Sequence, residues 1–173
     1  MKFKELSHDL GGFFDCEQKV IDLLEIQGRP EEVIRHKLLE AYNQVGQAVL
    51  VDDTTVHLEA LNGFPGPYMK DFWNCFTPYE MGNKFAGSRI KVVCWLGICR
   101  GPHDIVIADG AVEGLIVPPK QREHNGRWLD LFTQVDGTDK PMIEFSYEEK
   151  NKFSHRGNAV RNLLDILKKE NSK

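Results

Sequence analysis

Residues 49–72 read VLVDDTTVHLEALNGFPGPYMKDF, and this stretch decides most of what the sequence says about the fold. Ala48 to Val51 is a compact apolar run of buried-strand type. It leads straight into Asp52-Asp53-Thr54-Thr55, so acid is expected at a strand end. Leu61 to Pro67, LNGFPGP, holds two glycines and two prolines, which break helix and strand alike and predict a shaped loop. Beyond it, Tyr68 to Phe76 reads as an aromatic-rich helix.

Upstream, Phe3, Leu6 and Leu10 recur at helical spacing before Gly11-Gly12, so the chain opens in a helix with a glycine stop. Gln18 to Ile26 is a short apolar strand or turn segment that delivers Glu25. A helix then starts at Pro30, with Glu31 and Glu32 in its first turn and Val33, Ile34, Leu38, Ala41 and Val45 as its apolar stripe. Lys37 is placed on the rim of that stripe.

Downstream, Ile90 to Ile98, Asp104 to Ala108 and Ala111 to Val117 read as strands, the last two joined by Asp109-Gly110, a tight-hairpin signal. Pro118 to Trp128 is polar and rich in breakers, hence a loop, and Val135-Asp136-Gly137 makes a further turn. Ser146 and Glu149 have capping-box spacing, and Val160, Leu163, Leu164 and Leu167 give the last helix its buried face. With no repeat, linker or low-complexity segment, residues 1–173 read as one α/β domain.

The composition supports a real core: 173 residues, 41% hydrophobic and 28% charged. The formal charge of −4 and the lack of long like-charge runs leave no global field for nucleic acid or membrane. An anionic ligand would need a local basic site. Cys16, Cys75, Cys94 and Cys99 form no CxxC pair and read as reduced thiols. Cys94 and Cys99, five apart, fall on opposite faces of a strand. MKFKELSHDL has no signal-peptide core, and the longest apolar run, Val92 to Ile98, is far short of a membrane span. A cytoplasmic protein is expected.

Two groups of residues carry chemistry. The acidic pair Asp52-Asp53, with Glu25 at the end of another apolar segment, is the kind of hard-oxygen cluster that holds Mg²⁺ beside a phosphate, and equally the kind that caps a turn. Lys2, Lys37, Lys70 and Lys150 together can neutralise a polyphosphate. Ser154-His155-Arg156-Gly157 lies where side chains can project from the fold, although the serine also suits a helix N-cap. Arginine donors match the O6 and N7 acceptors of a guanine-like base, whereas a 6-amino group would face them donor to donor.

The run at 49–72, with EEKNKFSHRG at 148–157 and the IQGxP segment at Ile26 to Pro30, resembles the inosine triphosphate pyrophosphatase family, the non-standard purine nucleoside triphosphate pyrophosphohydrolases. The resemblance covers nearly the whole chain. It implies an α/β fold with a mixed central sheet flanked by helices, in two lobes around a nucleotide cleft. It implies hydrolysis of ITP, dITP and XTP to the monophosphate and pyrophosphate, with Mg²⁺ or alternatively Mn²⁺, by a homodimer. By the same resemblance Glu25, Asp53 and its neighbour Asp52 hold the metal, and Asp53 accepts the proton. Lys37, Thr54, Lys70 and Lys150 lie around the nucleotide, and His155 and Arg156 read the base.

Two departures from the family pattern stand out. The family's first strand and its Thr-Gly-Asn-x-x-Lys loop would lie ahead of Met1, with Lys2 as the closing lysine. Where the family has Phe-Gly-Trp-Asp-Pro, this chain has Gly126-Arg127-Trp128-Leu129-Asp130. Trp128 is kept, the stacking phenylalanine is gone, and the aspartate is either lost at Leu129 or displaced to Asp130. The alternative reading is a catalytically inactive relative that dimerises or binds nucleotide weakly.

Overall fold

The computed structural model describes Phe3, Leu6, Ser7, Leu10 and residues 11–170; Lys2 lies outside the described residues. In chain order the elements are α1 (Pro30–Val45), β1 (Val49–Leu58), a 3-10 turn (Glu59–Leu61), β2 (Pro65–Gly66), α2 (Met69–Trp73), α3 (Pro78–Lys84), β3 (Arg89–Gly101) and β4 (Asp104–Ile116). They are followed by β5 (Thr133–Val135), a second 3-10 turn (Met142–Glu144), α4 (Tyr147–Asn151) and α5 (His155–Glu170). The strands make one sheet in the order β2-β1-β3-β4-β5, and its pairings are all antiparallel among the described residues. Helices cover both faces, so the α/β architecture with a flanked central sheet holds.

Alternation along the strands assigns those faces. Val49 and Val51 of β1, Cys99 of β3 and Ile105 and Ile107 of β4 pack under Ile34 and Leu38 of α1. Leu96, Ile98, Val106 and Ala108 pack on the other face under Val160, Leu163, Leu164 and Leu167 of α5, with Leu6 and Leu10. Cys94 and Cys99 accordingly sit in different clusters, and all four cysteines are free. A third cluster fills the far end of the same strands, around Val56, Leu58, Ile90, Val92, Val112, Ile116 and Phe132. The molecule therefore has two lobes that share β1, β3 and β4.

Several local expectations are corrected. Asp52 and Asp53 stand inside β1, which runs on to Leu58 in unbroken register with β3, because each carboxylate finds a cation on its own face. Lys37 is buried rather than rim-placed, at 6% exposure. Asp109-Gly110 is no hairpin: β4 is continuous from Asp104 to Ile116, and the turn lies at its start, after Gly101. Gly110 is there because α5 crosses the strand so closely that a Cβ would run into the backbone of His155 and Ala159. Asn158 and Asn162 then donate to the Ala111 and Asp109 carbonyls of β4, covering that stretch of sheet edge.

Gln18 to Ile26 forms no strand. It has no ladder partner among the described residues, leaves Val20 and Leu24 exposed, and is tied to α1 by Leu24 N–H on Glu40 and by Gln44 on the Asp22 carbonyl. The aromatic helix is shorter than expected, ending at Trp73, and α3 follows it with Pro78 in its first turn and a Thr77–Glu80 capping box. The Ser146–Glu149 box starts α4, a short helix ahead of the last one, and Ser154 caps α5, accepting from Gly157 N–H at 3.1 Å. The 61–67 loop is shaped as expected, and His57 ties it down, Nδ1 on the Gly63 carbonyl and Nε2 on the Thr55 hydroxyl, each at 3.1 Å.

Candidate functional site

A cleft of about 320 Å³ opens at the seam between the lobes, beside the middle of β1. β1 supplies Asp53, Thr54 and Val56; α2 supplies Met69, Lys70 and Trp73. The loop before β5 supplies residues 126–130, and α4 and α5 supply Lys150, His155 and Arg156. Its volume lies at the small end of the range for small-molecule sites.

Because successive side chains on a strand point to opposite faces, Asp52 and Asp53 serve different partners. Asp53 faces α1, where the buried Lys37 reaches it at 3.2 Å and Glu25 at 2.8 Å. Burial pulls the Lys37 ammonium down, but the Glu25 hydrogen bond and the charges of Asp53 and Glu25 outweigh it and hold the pKa above the ordinary lysine value. Asp52 faces α5 and receives Arg156 at 3.0 Å. The three acids expected to share a metal are thus divided: Glu25 and Asp53 converge on Lys37, and Asp52 does not join them. No group of three metal-ligating side chains forms among the described residues. The Glu25–Asp53 pair still has the right chemistry for a hydrated hard cation, two carboxylates within reach of one ammonium, with Glu25 open to solvent.

The opposite end of the cleft is built on the rewritten 126–130 segment. Asp130, not Leu129, carries the carboxylate into the site. It is 4% exposed, and its Oδ2 receives both Lys150 Nζ and Arg127 Nε at 2.8 Å. Arg127 also donates to the Met142 carbonyl at 2.7 Å, which pins the loop to the turn after β5. The first turn of α5 is pressed onto α4 at Gly157, where any Cβ would meet the Asn151 carbonyl, and this packing carries His155 and Arg156 into the cleft.

His155 is 3% exposed, and burial, reinforced by the Arg156 and Lys150 charges, lowers its pKa to about 3. The imidazole is therefore neutral, with one nitrogen able to donate and one to accept. Its Nδ1 and the Thr54 hydroxyl are buried without a protein partner. Buried polar atoms call for a partner, and a ligand or a water in the cleft would supply one.

Of the residues singled out in the sequence, Asp53, Thr54, Lys70, Trp128, Lys150, His155 and Arg156 line the cleft, and Lys37 and Glu25 adjoin it through Asp53. Trp73 was not singled out; Asp130 was one of two places offered for the aspartate, but its pairing with Arg127 was not foreseen. The spacing of Met69 and Trp73, one helical turn apart, is the signal that puts both on one wall.

The Ham1 family profile matches residues 1–166. A Schizosaccharomyces pombe protein named inosine triphosphate pyrophosphatase is 35% identical over 173 residues, 98% of this chain and 91% of that protein. One of the same name from Neurospora crassa is 36% identical, over 98% of this chain and 88% of its own. The structure of a HAM1 protein from Coxiella burnetii superposes with a TM-score of 0.77 at 24% identity, covering 96% of this chain and 94% of that one, and shares the fold. On the profile match and these identities, the chain belongs to the Ham1 family.

Proposed function

We propose that this protein hydrolyses non-standard purine nucleoside triphosphates (ITP, dITP and XTP) to the monophosphate and pyrophosphate, as a homodimer that removes them from the nucleotide pool. The observation that carries the reading is one cleft with an acid–lysine cluster at one end and buried donors at the other. The names of the curated relatives point the same way.

In this reading Glu25 and Asp53 hold Mg²⁺, with Mn²⁺ as a substitute, and Asp52 fixes Arg156 rather than the metal. The ion would supply charge neutralisation at the phosphates. Lys37, Lys70 and Lys150 add positive charge around the nucleotide. Asp53 takes the proton of a water that attacks the α-phosphorus in line; the α–β bridging oxygen leaves with pyrophosphate. Arg156 donates to a 6-oxo purine and meets a 6-amino group donor to donor, a difference worth roughly 1–3 kcal/mol per good contact.

The test is pyrophosphate release from ITP, XTP and ATP with Mg²⁺, beside Asp53→Asn. Turnover of ITP and XTP well above ATP, falling at least about a hundredfold in Asp53→Asn, is expected. Intact ITP would sink the reading; a sedimenting dimer without turnover would then favour a non-catalytic relative.

A further inference from the structure

We infer that Trp73, on α2, is a base-contact residue: with Trp128 it forms an aromatic wall against which the flat base of the nucleotide is held. The inference rests on the cleft being the nucleotide site. Met69 and Trp73 share one face of α2 and both line the cleft. The neighbouring Phe72 is buried in the core, edge-on to Phe64 and tilted against Phe76 and Phe85, and this cluster fixes the direction in which α2 presents Trp73.

Trp73 and Trp128 are neighbours in the cleft wall, and both lie against Phe132, which is fully buried. Position 126, beside them, is a glycine and adds no ring of its own. Among the described residues the two indoles are the carbon-ring aromatics of the cleft wall, and the rest of the wall carries the buried Lys150 and the neutral His155 with its unpartnered Nδ1. A ligand that engages both surfaces needs a flat π-face and a polar edge, which a heterocyclic base has and a bare polyphosphate lacks.

Three measurements on the full chain decide it: KM and kcat for ITP, the inhibition constant of inorganic tripolyphosphate, and the calorimetric affinity for IMP. Trp73→Leu is expected to raise KM for ITP and the dissociation constant for IMP about ten- to a hundredfold, the usual range for losing one base–aromatic stack. kcat and tripolyphosphate inhibition should stay within about threefold of the parent, and Trp73→Phe, which keeps a flat ring, should recover most of the affinity. Equal loss of tripolyphosphate and IMP binding would reveal a merely structural tryptophan and overturn the inference, as would unchanged IMP affinity or no IMP binding by the parent. Should the parent bind IMP but leave ITP intact, the proposed catalysis fails, while the IMP comparison still decides the role of Trp73.

Discussion

His155 shows how one buried side chain couples the site to solution conditions. Its pKa is lowered to about 3, first by burial and then by the charges of Arg156 and Lys150. In the unfolded chain an imidazole titrates near 6.5, so as pH falls the unfolded state binds the proton first. The contribution to stability is complete above about 6.5 and is lost on acidification towards the folded value. Between pH 7 and pH 5 this one group should cost about 2 kcal/mol. Urea unfolding at the two pH values should show that loss in the parent and not in His155→Gln; equal losses would trace the slope to other groups. At this scale the placing of Asp53, Lys150 and the His155-Arg156 pair in one cleft was foreshadowed by motifs that are contiguous and local. The role of Asp130 could not, since the choice between Leu129 and Asp130 is made by Lys150 and Arg127 closing on one carboxylate oxygen.

At the scale of elements, Gly110 governs how α5 reaches the site. A Cβ there would collide with the backbone of His155 and Ala159, so Gly110→Ala must push the first turn of the helix off the sheet. A destabilisation of about 3 kcal/mol or more is expected, with loss of IMP binding. Gly101→Ala, where the space around the Cβ is open, should be nearly neutral in the same denaturation experiment, and parity between the two would contradict the close-approach account. The same position explains why the hairpin reading failed. Asp-Gly is a turn signal when it must supply positive φ, but here the glycine serves a helix far away in sequence, which no local pattern announces. α1 and α5, by contrast, followed from their stripes and caps. The Gln18 to Ile26 segment had the composition of a strand, but a strand also needs a ladder partner, and none pairs with it among the described residues.

Over the whole molecule, the cleft lies where the hydrophobic interior changes hands, between the clusters under α1 and α5 and the cluster around Phe132. Polar residues inside β1 are tolerated at that seam because the apolar packing gives way there to Lys37 on one face and Arg156 on the other. The two-lobed form was implied by resemblance; the arrangement of charge across one strand could only come from pairing β1 with its covering helices.

The thirteen-residue strands β3 and β4 are paired through both lobes, in unbroken register from Arg89 to Cys99 with a shift only near the turn at Gly101. A spine of that kind has no hinge. The amides of Val92 to Leu96 should therefore exchange with solvent among the slowest in the protein, equally slowly with and without IMP. A ligand-dependent change at those amides would mean that the lobes do bend against each other.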